Sequence, residues 1–242
     1  MGKEDILNLF NEFLTNYNEE EMDKVWNDIS LEFRDFWENK IFNENYGELN
    51  DQELDEIIRY LDSHARGNTR NTPSAGAAMV SQGMWRKMLN DIHGIKELRD
   101  IFKALFSEKS IEEKIKLIDK LYKINENRRN SLTGQSANAI NAFLFVYFPN
   151  EYTSVLSLKH RKILIEYFNF ENGPDFEKDS QGTKIIKSNN SIIEGFKKIG
   201  IFNSIRTIDR FLYSPLFRNY WLGDVAVNNK NKESILDTEE TI

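Results

Sequence analysis

The sequence predicts an all-α protein of many helices, an acidic N-terminal helical lobe joined to a larger basic helical body. Three observations carry that expectation. Apolar residues recur at the 3.6-residue helical period in most segments, and alternation of the kind a strand needs is never sustained. Only 4 prolines occur in 242 residues, and 40% of the chain is hydrophobic, enough for a proper core. Charge is split along the chain: residues 1–62 carry 5 Lys+Arg against 18 Asp+Glu, a net of −13, whereas residues 63–230 carry 26 against 17, a net of +9.

Taken in order, Ile6, Leu9, Phe10, Phe13, Leu14 and Tyr17 share one helical face, and Met22, Val25, Trp26, Ile29, Phe33, Phe36 and Trp37 continue the period through a second helix. Asn50 with Glu53 has the spacing of a capping box, ahead of Leu54, Ile57, Ile58 and Leu61 in a third. These three helices make the acidic lobe, residues 1–62. Gly, Asn, Thr, Pro and Ser then cluster in SHARGNTRNTPSAG, residues 63–76, which is either a solvated linker or an ordered phosphate-contacting loop with Arg66 and Arg70. The basic body, residues 77–227, opens with helices over Ala77 to Leu89 and Ile95 to Phe106. Ser110 and Glu113 make a second capping-box pair, followed by Ile111, Ile115, Ile118, Leu121 and Tyr122. Further helices are expected over about 135–148, over Leu158 to Phe168 with Ser157 as cap, over Lys184 to Ile199 and over Thr207 to Tyr213. Residues 228–242 are polar and acidic, and a frayed, disordered tail is expected there.

Composition excludes several classes of function. Cysteine is absent, so disulfides, thiol nucleophiles and cysteine metal sites are excluded. The longest apolar run, Ala142 to Phe148, is far shorter than the roughly 18 residues of a membrane span. MGKEDILNLF has acidic residues where a signal peptide is basic, so a cytoplasmic, bacterial protein is expected, without a membrane partner. There is no G-x-x-x-x-G-K-[ST] phosphate loop and no H-E-x-x-H, and His64, His93 and His160 are isolated. Asp175, Glu194 and Lys197 lack the spacing and strand setting of a nuclease site. No enzyme activity, metal or cofactor is expected.

What remains is charge. A basic body beside an acidic section suits a polyanion such as DNA, or else two lobes that neutralise one another. The most suggestive stretch is NRRNSLTGQSANAINAFLFVYFPNEY, residues 127–152. A helix starting just after Thr133-Gly134-Gln135-Ser136 leaves its first amides unpaired, and these with the positive dipole end favour an anion. Gly134 allows close approach, and Arg128 and Arg129 add charge. The alternative is an ordinary capped helix, with the arginines closing the preceding one. Lys159, Arg161 and Lys162 open one helix. Lys184 and Lys187, with Lys197 and Lys198, occupy another, and Arg206 and Arg210 stand at i, i+4. Phe211, Tyr213, Phe217, Tyr220 and Trp221 follow directly, and basic residues beside aromatics suit nucleic acid as well as an aromatic core under surface charge.

Certain pieces also carry a resemblance. They are Gln82-Gly-Met-Trp-Arg-Lys-Met88, Asn130-Ser-Leu-Thr-Gly134, Ala137-Asn-Ala-Ile-Asn-Ala-Phe-Leu144, Phe148-Pro-Asn-Glu-Tyr152 with Ser154 to Leu158, and Ser188-Asn189. The span from about Met84 to Tyr213, about half of the chain, resembles a helical region of McrB-like restriction and defence proteins, where it accompanies an AAA+ GTPase or a nuclease. Leu132 to Ser136 also looks like the loop of a helix-hairpin-helix, with Ser136 where that motif has its second glycine. The resemblance implies a non-catalytic DNA-recognition component of a bacterial restriction or phage-defence system. Any motor or cleavage function would belong to a partner subunit. The alternative is a helical module that docks a partner protein through its aromatic surface.

Overall fold

In the computed structural model, which describes residues 2–223, eleven α-helices and one π-helical turn make up the regular structure, and no strand occurs among those residues. The all-α expectation holds. The expected tail at 228–242 lies outside the described residues.

The helix that organises the fold is α7, Asn138–Tyr147, apolar on every side and buried from Ala139 to Tyr147. An apolar ten-residue helix can only sit inside other helices. Around it pack α2 (Glu19–Phe36), α3 (Asp51–Leu61), α4 (Gln82–Gly94) and α5 (Lys96–Ser107). Phe143 lies edge-on to Trp37, Trp85 and Phe102 at 5.4, 5.5 and 5.6 Å, and Trp26 meets Phe145 at 4.7 Å. The last carbonyl of α7, on Tyr147, accepts from Ser30 Oγ at 2.9 Å and Arg34 Nε at 2.8 Å. Two α2 side chains thus satisfy a helix end that water cannot reach. Between α2 and α3, a π-helical turn at Trp37–Ile41 carries Trp37 and Ile41 into the same core.

A second core gathers α1 (Lys3–Leu14), α8 (Leu158–Phe168), α10 (Ile205–Leu212) and α11 (Arg218–Leu222) around Phe211, which stacks on Phe217 at 4.4 Å and meets Phe10 at 5.1 Å. The long helix α9, Gln181–Ile199, joins the two: Ile185 and Ile186 belong to the first core, Ile192 and Phe196 to the second. It packs along α6, Ile111–Asn125, so closely that Gly182 faces the Ile115 carbonyl with no room for a side chain.

Residues 1–62 therefore have no core of their own. The apolar stripes of α2 and α3 face α7 in the first core, and α1 sits in the second. Residues 63–76 are a packed turn and not an extended linker. Ser63 N donates to Gly76 O at 2.9 Å and Ala75 N to Tyr60 O at 2.8 Å, with Ala65 and Ala75 buried. Trp85 Nε1 donates to Asp62 Oδ2 at 3.1 Å across the turn. The expected helix at Ala77 starts later, because Met79 has φ 55° and Ser81 is the cap that accepts from Met84 N.

Candidate functional site

The stretch 126–136 connects α6 to α7 and is not the first turn of a helix. Ser131 and Ala137 both have left-handed backbone, φ 59° and 56°, and α7 begins only at Asn138 with Ala137 as its cap residue. The expected start at 135 is corrected accordingly: Ser136 caps nothing, and its carbonyl instead accepts from Leu158 N at 3.1 Å. The turn is held from below by two buried asparagines that sequence reasoning passed over. Asn125 Nδ2 donates to Asn130 Oδ1 at 2.9 Å and Asn130 Nδ2 returns to Asn125 Oδ1 at 3.0 Å. Asn130 also donates to Asp91 Oδ2 at 2.8 Å and accepts from Leu132 N at 3.2 Å. Buried amides with this many partners rigidify the loop that contains them.

On that platform Arg128 and Arg129 are exposed. Thr133 is half-buried, its hydroxyl oxygen accepting from Asn125 Nδ2 at 2.8 Å, so it faces the platform and not solvent. Gly134 is exposed and does not need its freedom of φ; a β-carbon there would meet only Ser131 O at 3.9 Å. Its carbonyl accepts from Tyr122 Oη at 2.9 Å.

The Leu158–Ser136 hydrogen bond sets the first turn of α8 beside this loop, and Lys159 is exposed there. Lys114 pairs with Glu151, Lys116 with Glu113 and Lys162 with Glu177, whereas the exposed Lys120 and Lys123 of α6 make no ion pair among the described residues. Among the described residues, no ion pair engages Arg128, Arg129 or Lys159. Next to Lys159, His160 Nδ1 lies 3.0 Å from Tyr213 Oη. Burial, and then the charges of Lys159 and Arg218, hold its pKa below the usual histidine value.

Two candidates belong to the interior. Arg161 is fully buried: Nε donates to Val155 O at 2.7 Å and Nη1 to Ile185 O at 2.9 Å, and burial lowers its pKa to about 10. It cannot reach DNA, because it lies on the apolar stripe of Leu158, Leu164 and Ile165. Arg206 is also buried, with Asp23 at 2.7 Å, Pro149 O at 2.9 Å and Asn150 Oδ1 at 2.6 Å. It ties α10 to α2, whereas Arg210, one turn on, is exposed on the side of Tyr17. The pair is therefore not one basic face. Lys184 is half-buried beside Asp175, and Lys187 is exposed on α9. The structure brings Arg128, Arg129, Gly134 and Lys159 to adjoining turns, and does not gather Lys184, Lys187 and Arg210 with them through any hydrogen bond or ion pair among the described residues.

The buried polar groups have a common task. Asn189 accepts from Thr153 N at 2.9 Å and donates to Glu151 O at 2.9 Å, and Asn141 donates to Leu156 O. Asp209 accepts from Thr153 Oγ1 and Ser154 N, and its burial raises its carboxyl pKa to about 6. With Arg161 and Arg206 they clamp the connection 149–157 between α7 and α8, so Phe148-Pro-Asn-Glu-Tyr152 and Ser188-Asn189 meet in space for structural reasons.

Away from the basic turns, a groove of about 370 Å³ between α2 and α3 is lined by Glu32, Asp35, Glu53 and Glu56 beside Lys40 and Tyr60. Glu53 bonds Lys40 at 2.8 Å and Tyr46, and its pKa falls to about 2 against the burial that opposes it. That face repels a polyanion. No group of three or more potential metal ligands occurs among the described residues.

No protein-family model matches the chain, and neither the curated proteins nor the solved structures contain a match to it.

Proposed function

We propose that this chain is a non-catalytic DNA-binding component that grips the phosphate backbone with Arg128, Arg129 and Lys159. What supports the reading is that Arg128 and Arg129 are exposed on an asparagine-braced turn, and that the Leu158 N–Ser136 O bond joins the same loop to the first turn of α8, where Lys159 is exposed. Cations outside ion pairs bind phosphate by releasing condensed counterions, without forfeiting an existing partner. The acidic α2–α3 groove orients the molecule, since that face turns away from DNA. Membership of a bacterial restriction or phage-defence system rests on the McrB-like resemblance alone. In that setting an AAA+ GTPase or nuclease subunit would supply the motor or the cut.

The test compares DNA affinity for wild type and R128A/R129A at several salt concentrations, with Lys187→Ala as the surface-charge control and a melting curve for each. The reading expects the double variant to bind more weakly on every sequence while melting as wild type does. Unchanged affinity would overturn it and bring the protein-docking alternative forward.

A further inference from the structure

We infer that His93 is a pH-sensitive latch: its imidazolium holds the segment 42–49 against the end of α4, and its neutral ring lets go of one of the two carbonyls it bridges. The inference is independent of the DNA-binding reading.

His93 stands in the last turn of α4, with its ring between two backbone carbonyls. Nδ1 is 3.3 Å from the oxygen of Ile41, which ends the π-helical turn, and Nε2 is 3.0 Å from the Gly47 oxygen. A carbonyl only accepts. A neutral imidazole has one N–H and one lone pair, so it serves one carbonyl and turns a lone pair on the other. The imidazolium has an N–H at each nitrogen and serves both. Turning the ring over puts carbons where the nitrogens stand, so no arrangement of the neutral form makes both bonds.

Little else ties the main chain of this segment. Among the described residues, its other hydrogen bonds are local: Tyr46 N donates to Asn43 O and Asn45 N to Asn43 Oδ1, each at 3.0 Å. Residues 43–45, 47 and 48 are exposed, between the buried Phe42 and Leu49. Tyr46 Oη bonds Glu53, which lines the α2–α3 groove, so release of the segment changes the acidic face.

Charges around the ring balance, so the number of bonds decides. The segment brings Glu44, Glu48 and Tyr46, whose ring meets His93 edge-on at 6.3 Å. From α5, Arg99 Nη1 donates to the His93 carbonyl at 2.6 Å while Nη2 holds Glu44 at 2.9 Å, and Lys96 lies 3.8 Å from the same carboxylate. Lys40 and Glu53 pair beyond Tyr46, and Asp91 on α4 is engaged by Lys87 and Asn130. The C-terminal end of α4 itself favours a cation. The second bond is therefore present in acid and lost as pH rises through the range where histidines titrate, about 6–7.

The experiment has two arms. Proton NMR of the wild-type protein counts the slowly exchanging ring N–H signals of His93, assigned by NOEs to Tyr46: two are expected at pH 5.5 and one at pH 8. Urea titrations of wild type and His93→Gln at both pH values compare their unfolding equilibrium constants. His64 and His160 are common to both proteins and cancel in the ratio. The inference expects the advantage of wild type over the variant to be roughly 2- to 10-fold larger at pH 5.5 than at pH 8. A single ring N–H signal at pH 5.5, or an advantage that is flat or grows as pH rises, would overturn the latch. Should His93→Gln not fold, the count of ring signals in wild type decides alone.

Discussion

Replacing Gly182 by alanine tests the crossing on which the fold depends. A β-carbon at 182 would lie 2.3 Å from Ile115 O and 3.0 Å from both Ile115 C and Asp119 Oδ1. Two of these three atoms are backbone, so α6 and α9 must separate by about 1 Å to restore van der Waals contact. Ile118, Leu121, Ile185 and Ile186, all buried, would loosen with them. The hydrogen bond from Gly182 N to Asp119 Oδ1, 2.7 Å, would also stretch. Overpacking costs about 1–3 kcal/mol, and a hydrogen bond to a charged group contributes about 1.5–3 kcal/mol. Alanine's better helix propensity returns at most about 1 kcal/mol. The net expectation is a loss of roughly 2–4 kcal/mol, or a fall in Tm of roughly 5–15 °C for a chain of this size. Gly83, in the first turn of α4, is the control: a β-carbon there meets nothing within 4 Å, so Gly83→Ala should raise Tm by a few degrees. Thermal melts of both variants, followed by circular dichroism, decide the matter. A Gly182→Ala protein as stable as wild type would refute the close α6–α9 packing.

Three further outcomes are expected. Ser136→Ala should leave Tm unchanged, because Ser136 contributes a carbonyl and no cap, whereas Ser180→Ala removes the oxygen that accepts from Thr183 N at the start of α9 and should cost about 1 kcal/mol by denaturant titration. Arg206→Ala leaves the Pro149 carbonyl without this donor and removes the ion pair to Asp23, which keeps Ser204 Oγ and some solvent, so it should destabilise by about 1–3 kcal/mol, seen as a lower urea midpoint; a midpoint equal to wild type would return Arg206 to the surface. Asp209, raised by burial from 3.8 to about 6, binds its proton more tightly folded than unfolded. Its favourable contribution is present below pH 4 and is lost as pH rises through 6, on the order of 2–3 kcal/mol. The difference in unfolding free energy between wild type and Asp209→Asn should therefore change between pH 4 and 6 and be flat above, and a flat difference throughout would contradict that protonation.

Where local chemistry is strong, the helices were legible. The Asn50–Glu53 box forms with both its bonds, at 3.0 Å each. Ser110 caps Glu113 N, although Glu108, and not Glu113, takes the Ser110 amide. The helix Leu158–Phe168 follows its apolar stripe to the residue. Legibility failed where tertiary contact overrides propensity. Gln181-Gly182-Thr183 looks like loop because glycine is a poor helix former, yet that glycine is required by α6. Charge type alone likewise does not report burial. Arg161 falls three residues from both Leu158 and Leu164 on the apolar stripe, a signal present in the sequence that placed it in the core. Arg206 has no such signal, because its partner Asp23 is far away in the chain. Nor could the bracing pair Asn125 and Asn130 be picked out among so many asparagines without the fold that buries them. The division into lobes at 62 followed net charge, but cores follow apolar stripes, and those of α2 and α3 point into α7.

The most direct measurement is the dependence of DNA affinity on salt for wild type and for the R128A/R129A/K159A variant. If these three side chains form one phosphate-gripping face, the slope of log K against log salt on duplex should become shallower by about 0.9 for each phosphate no longer neutralised, close to three units in all, at unchanged Tm. Slopes that coincide for two folded proteins would contradict the account.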